Sequence, residues 1–100
     1  MIRVRKGNQT IKIIGHAGYD RHGKDIVCAA VSVLFQTLIK SMETLSDDEI
    51  TYYIEEGSAK LKYEYQTKTT KTLLESFWLG LGLLVKEYSD YVSIEDERSA

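Results

Sequence analysis

The sequence contains no proline and a single cysteine, so neither a proline-rich linker nor an internal disulfide can organise the chain. A lone thiol gives no sign of an oxidising compartment. The opening MIRVRKGNQT lacks an apolar run of signal-peptide length. The most apolar window, Phe77 to Val85, is nine residues long, against the roughly 20 needed to cross a bilayer. These absences lead to the expectation of a cytoplasmic protein with no membrane partner. There is also no excess of positive charge. A net charge of -2 argues against life on nucleic-acid phosphates, so no direct nucleic-acid partner is expected.

What is present fits one domain, residues 1–100, long enough for a single core. Apolar residues at 43% and charged residues at 28% are ordinary for a globular protein. Residues 2 to 6 alternate apolar and basic, and the β-branched run at 10 to 14 follows a Gly7-Asn8-Gln9 turn, which predicts a hairpin. Its polar side carries Arg3, Arg5 and Lys12, read as a solvated sheet face. A helix is expected from about Asp25 to Thr44. A second hairpin is expected at 50 to 56 and 59 to 67, turning at Gly57-Ser58, with Leu61, Tyr63 and Tyr65 on one face. A second helix follows over 69 to 88, then a strand at 91 to 95. The fold class is therefore α+β, a mostly antiparallel sheet packed with two helices in the order β-β-α-β-β-α-β.

The second helix is apolar nearly all round, from Leu73, Leu74, Phe77, Trp78, Leu81, Leu84 and Val85 with Leu79 and Leu83 beside them. Such a helix needs burial on more than one side, which points to a partner subunit as well as the sheet. Gly80 and Gly82 would permit close backbone approach.

The chemistry-bearing residues gather in GHAGYDRHGKDIVCAAVS, Gly15 to Ser32, which holds both histidines and the cysteine. Up to Gly23 it is a loop punctuated by Gly15, Gly18 and Gly23. Asp25 is then placed to cap a helix by accepting bonds from the first free amides. Cys28 falls in the first turn, where helix partial charge favours thiolate over thiol. In that helix Val27, Val31, Leu34, Leu38 and Leu45 recur at helical spacing, with Ile26, Ala30 and Val33 beside them. Cys28 instead shares a polar line with Asp25, Ser32, Gln36, Lys40 and Glu43. A free cysteine is ordinarily core filling; the helix start and the polar line favour a reactive thiol here.

A cysteine nucleophile needs a general acid/base. His16 directly follows the second strand, where a strand end can aim it at the start of the next helix; His22 sits among Asp20, Arg21 and Lys24 as a loop residue. Asp25 serves as cap or orients His16, and Ser32 lies one turn beyond Cys28, either across the site or simply exposed. No metal or other cofactor is expected: His16, His22 and Cys28 match no common zinc spacing, and the glycines match no phosphate loop.

With its glycine-histidine-alanine and aspartate-x-x-cysteine-alanine elements at fixed spacing, this stretch resembles the signature of the ribosomal-processing cysteine protease family known as Prp. The resemblance covers the whole chain in length and strand-helix order, without departure inside the motif. It implies that the family's catalytic histidine falls on His16, its nucleophile on Cys28, and its site aspartate and serine on Asp25 and Ser32. It further implies a small homodimer with a mobile loop over the site, about Gly15 to Gly23. The implied substrate is the N-terminal extension of large-subunit ribosomal protein twenty-seven, cut after an aromatic pair. In the mechanism expected, amides at the helix start stabilise the oxyanion. A non-catalytic ribosome-assembly or peptide-binding module is the alternative; a redox switch is weakened by the lack of a second cysteine.

Overall fold

The computed structural model describes residues 1–21, 23–64 and 67–98. Its elements are β1 (Ile2–Lys6), β2 (Thr10–Ile14), α1 (Ile26–Leu45), β3 (Ile50–Glu55), β4 (Ser58–Tyr63), α2 (Lys68–Glu87) and β5 (Val92–Asp96), the expected order. The strands form one sheet, β3-β4-β2-β1-β5. β1 to β2, β2 to β4 and β3 to β4 pair antiparallel, whereas β5 pairs parallel with β1. A hairpin can close only antiparallel strands, and β5 is free to run parallel because the crossover α2 precedes it.

Strand alternation sets the core. Ile2 and Val4 of β1, Ile11 of β2, Ala59, Leu61 and Tyr63 of β4, and Val92 of β5 are buried under the helices. The alternate residues Arg3, Arg5, Lys12, Lys60 and Lys62 occupy the other face, and Arg5 pairs there with Glu95 at 3.1 Å. Tyr63 shares the buried face with Leu61 as expected; Tyr65 lies outside the described residues. The β3–β4 turn is Glu56-Gly57, one residue earlier than the sequence pattern suggests. Gly57 at φ 75 explains the shift, because a two-residue turn with positive φ only at its second position has type II character and takes glycine there.

The helices pack on each other as well as on the sheet. The buried stripe of α1 is Val27, Val31, Phe35, Leu38, Ile39 and Met42, rotated from the expected line, so that Leu45, Ile26 and Val33 are exposed. The Phe35 and Phe77 rings meet edge to face at 6.5 Å, and a contact of this kind fixes which apolar line turns inward. Gly80 is where the helices close: a Cβ there would lie 3.2 Å from Leu34 Cδ2. At Gly82, by contrast, nothing lies within 4 Å. On α2, Thr70, Leu74, Phe77 and Leu81 are buried, while Leu79 and Leu83 face outward. By length and composition alone α1 is apolar enough to cross a membrane, unlike the nine-residue window singled out in the sequence; here its inner face is core.

Candidate active site

The site is built on the cap of α1. Asp25 has extended backbone angles, and its Oδ1 accepts the N–H groups of Val27 at 3.0 Å and Cys28 at 2.9 Å. Its Oδ2 accepts the loop N–H groups of Tyr19 at 2.9 Å and Asp20 at 3.4 Å. One carboxylate thus caps the helix and ties the glycine loop to it. Desolvation raises the Asp25 carboxyl, but the bonds from Cys28, Asp20, Tyr19 and Val27 outweigh it and hold the group below its ordinary value of 3.8.

That cap bears on the amides at the helix start. The amides of Val27 and Cys28 are taken by the Asp25 side chain, and that of Ala29 by the Asp25 carbonyl at 3.1 Å. These three helix-start amides therefore already have acceptors within the cap. The donor directed at the sulfur comes from the loop: Ala17 N–H lies 3.3 Å from Cys28 Sγ. Ala17 is itself buried in the core, which fixes that amide. Two residues on, the Tyr19 ring meets Tyr88 and Tyr91 edge-on at 5.6 and 5.1 Å, anchoring the loop again. Gly15, Gly18 and Gly23 all have positive φ, at 95°, 71° and 84°. Gly18 and Gly23 stand in open space, whereas Gly15 is packed against the Met1 carbonyl.

His16 is exposed beside the β3–β4 turn, brought there by a bond from Gly15 N–H to the Gly57 carbonyl at 2.9 Å. A Cβ on Gly57 would lie 3.0 Å from His16 Nε2, so the turn and the imidazole are in close approach. His16, Cys28 and Ser32 line both lobes of a single cleft. The larger, about 510 Å³, lies under the loop and includes Gly18, Asp20, Gly23, Asp25 and Glu56. The smaller, about 150 Å³, runs between α1 and the hairpin and is lined also by Ile13, Val31, Phe35, Ile54 and Ala59. Cys28 is half-buried, with its sulfur reachable from the cleft. Ser32 Oγ accepts from Gln36 Nε2 at 2.8 Å along the helix. His22 lies outside the described residues. Among the described residues no three His, Cys, Asp or Glu side chains gather as a metal site.

The sequence pattern located the cap, the thiol and His16. It did not indicate the Ala17 amide or the hairpin tip, because a backbone donor and a turn distant in sequence leave no local signal.

Residues 1–93 match the profile of the family described as cysteine protease Prp. The chain belongs to this family. The ribosomal processing cysteine protease Prp of Mycoplasma pneumoniae is 30% identical over 100 residues, covering 98% of this chain and 97% of that protein. The fold is shared with the ribosomal processing protease Prp of S. aureus, solved with a covalently linked product peptide. That structure has a TM-score of 0.91 and 18% identity over 97% of this chain and 100% of the other. SMU.848 of Streptococcus mutans matches with a TM-score of 0.78 and 28% identity over 98% and 93% of the two chains. As a member of the family the protein is a cysteine protease.

Proposed function

We propose that the protein removes the N-terminal extension of large-subunit ribosomal protein twenty-seven, with Cys28 as nucleophile and His16 as general acid/base. The observation that carries the assignment is the meeting of three features in one cleft: the half-buried Cys28 sulfur, the Ala17 amide aimed at it, and His16. The Cys28 thiolate forms a C–S bond to the scissile carbonyl carbon, and the carbonyl electron pair moves to oxygen. Collapse expels the amine, which takes its proton from the His16 imidazolium. Water then attacks the thioester, His16 accepts its proton, and the acid product and thiolate separate. The Ala17 N–H, 3.3 Å from Cys28 Sγ, steadies the thiolate before attack.

In this reading Asp25 is a positioning residue, because it holds both the helix start and the loop. Ser32 lines the cleft wall. The loop between its anchors at Ala17 and Asp25 moves to admit peptide, using Gly18 and Gly23. The working unit is a homodimer in the cytoplasm, a reading supported by outward-facing Val33, Leu79 and Leu83 on the helix layer and by the lone reduced thiol. Incubation with a synthetic peptide spanning the extension and the first mature residues tests the substrate: mass spectrometry should find one cut, after the aromatic pair. An intact peptide under conditions where a reactive-site label modifies Cys28 would refute the assignment.

A further inference from the structure

The two edges of the sheet are protected unequally. β5 closes one side with Glu95 and Asp96; Arg5 pairs with Glu95 at 3.1 Å, and Arg98 grips Asp96 at 2.7 Å. Charge on an edge strand discourages further pairing. β3 forms the other side with ITYYIE, whose one charged residue is its last. It pairs residue for residue with β4, with no bulge. Tyr52, Tyr53 and Ile54 are 47%, 45% and 48% exposed. Among the described residues no strand pairs with its outer side. A regular, apolar edge without lysine, proline or bulge is a pairing site in waiting.

Its geometry leads to the site. Glu55 and Ser58 close the turn facing each other, so Ile54, Tyr52 and Ile50 direct their N–H and C=O groups away from β4. Register puts the side chains of Ile54 and Tyr52 on the face of Ala59 and Leu61, toward the helices. Ile54 lines the smaller lobe with His16 and Cys28, and Glu56 lines the larger one. The unpaired edge is therefore continuous with the cleft.

We infer that an extended segment of the substrate polypeptide adds to β3 as a sixth strand, holding one flank of the scissile bond while its end enters the cleft at Cys28. Main-chain bonds to Ile50, Tyr52 and Ile54 supply affinity, and every second side chain falls on the helix-facing side, beside Tyr52 and Ile54. The inference rests on the protease reading and adds how the substrate is held.

The test uses the intact protein and the same extension peptide, N-methylated at one backbone position at a time. Strand addition predicts that KM rises about tenfold at alternate positions on one flank of the cut and little at those between. A flat or non-alternating profile on a peptide that is otherwise cleaved overturns it. An unmethylated peptide that is not cleaved is a different failure, that of the substrate assignment, and takes this inference with it. In a second arm, Tyr52→Pro removes an outward N–H and leaves the β4 ladder intact. KM should rise about tenfold with kcat, melting temperature and oligomeric mass near wild type. A changed oligomeric mass with unchanged KM would assign the edge to a second copy of the chain and refute the inference. Should the variant fail to fold, the methylated series decides alone.

Discussion

Asp25 and Asp48 perform the same physical task at opposite ends of the helix layer, yet only Asp25 borders the cleft. Asp48 Oδ2 accepts the Thr67 N–H at 3.0 Å and its hydroxyl at 2.9 Å, and Thr67 in turn caps α2 through the Thr70 N–H at 3.2 Å. The Ser46 hydroxyl joins from the end of α1, 2.6 Å from Thr70 Oγ1 and 3.1 Å from Thr67 Oγ1. Thr70 is fully buried, and among the described residues no buried side-chain polar atom lacks a partner. That clamp is a closed network of hydroxyls and one carboxylate. The Asp25 end has glycines at 15, 18, 23 and 57, and Cys28 and His16 there line an open cleft. Two similar carboxylate clamps thus support different outcomes: one joins helix to helix and contributes stability, the other joins helix to loop and borders the cleft that holds Cys28.

Substitutions at the two ends should separate activity from stability. After the nucleophile itself, the largest effect is expected for His16→Ala: loss of a general acid/base should lower kcat/KM by about 10²–10⁴-fold. Its melting temperature should stay near wild type, because the side chain is exposed. A comparable fall in both would erase the distinction between the ends.

Next is Thr70→Val, which keeps the shape and deletes a buried hydroxyl bonded to Ser46. The expected cost is about 1.5 kcal/mol, a drop in Tm of roughly 6–12 °C for a domain of this size, with kcat/KM of the folded protein unchanged. Thermal melting and peptide cleavage on one preparation check both halves.

Asp25→Ala gives a smaller stability change than Thr70→Val, about 1 kcal/mol for a lost cap. It should nevertheless reduce kcat/KM, because the loop ties to Tyr19 and Asp20 are lost too. The same group gives a pH signature. Its folded carboxyl lies below the ordinary 3.8, so its stabilising contribution is complete above that value and is lost as pH falls through the lower folded one. Melting curves taken between about pH 5 and 2 should therefore decline less steeply for Asp25→Asn than for wild type.

How much of this was legible in the sequence follows from how local each feature is. The cap at Asp25 and the place of Cys28 in the first turn depend on a few adjacent residues and were readable. The two hairpins were readable from alternation, but the turn at Glu56-Gly57 was misplaced by one residue, since either neighbour of a glycine can complete a turn. The buried line of α1 was partly misread, because Ile26, Ala30 and Val33 widen its apolar side and only packing against Phe77 selects Phe35 over Val33. The parallel seating of β5 on β1 and the approach of Gly57 to His16 are tertiary facts. So are the commitment of the Val27 and Cys28 amides to Asp25 and the approach of the Ala17 N–H to the Cys28 sulfur.

The most direct test of the account is the rate of extension-peptide cleavage by Cys28→Ala, measured beside wild type with melting curves for both. With Cys28 as the nucleophile, wild type cuts the peptide and the variant loses on the order of 10⁴-fold or more in kcat/KM while remaining folded. Cleavage by folded Cys28→Ala at a rate near wild type would contradict the account, and the open end of the molecule would then have to be explained without its sulfur.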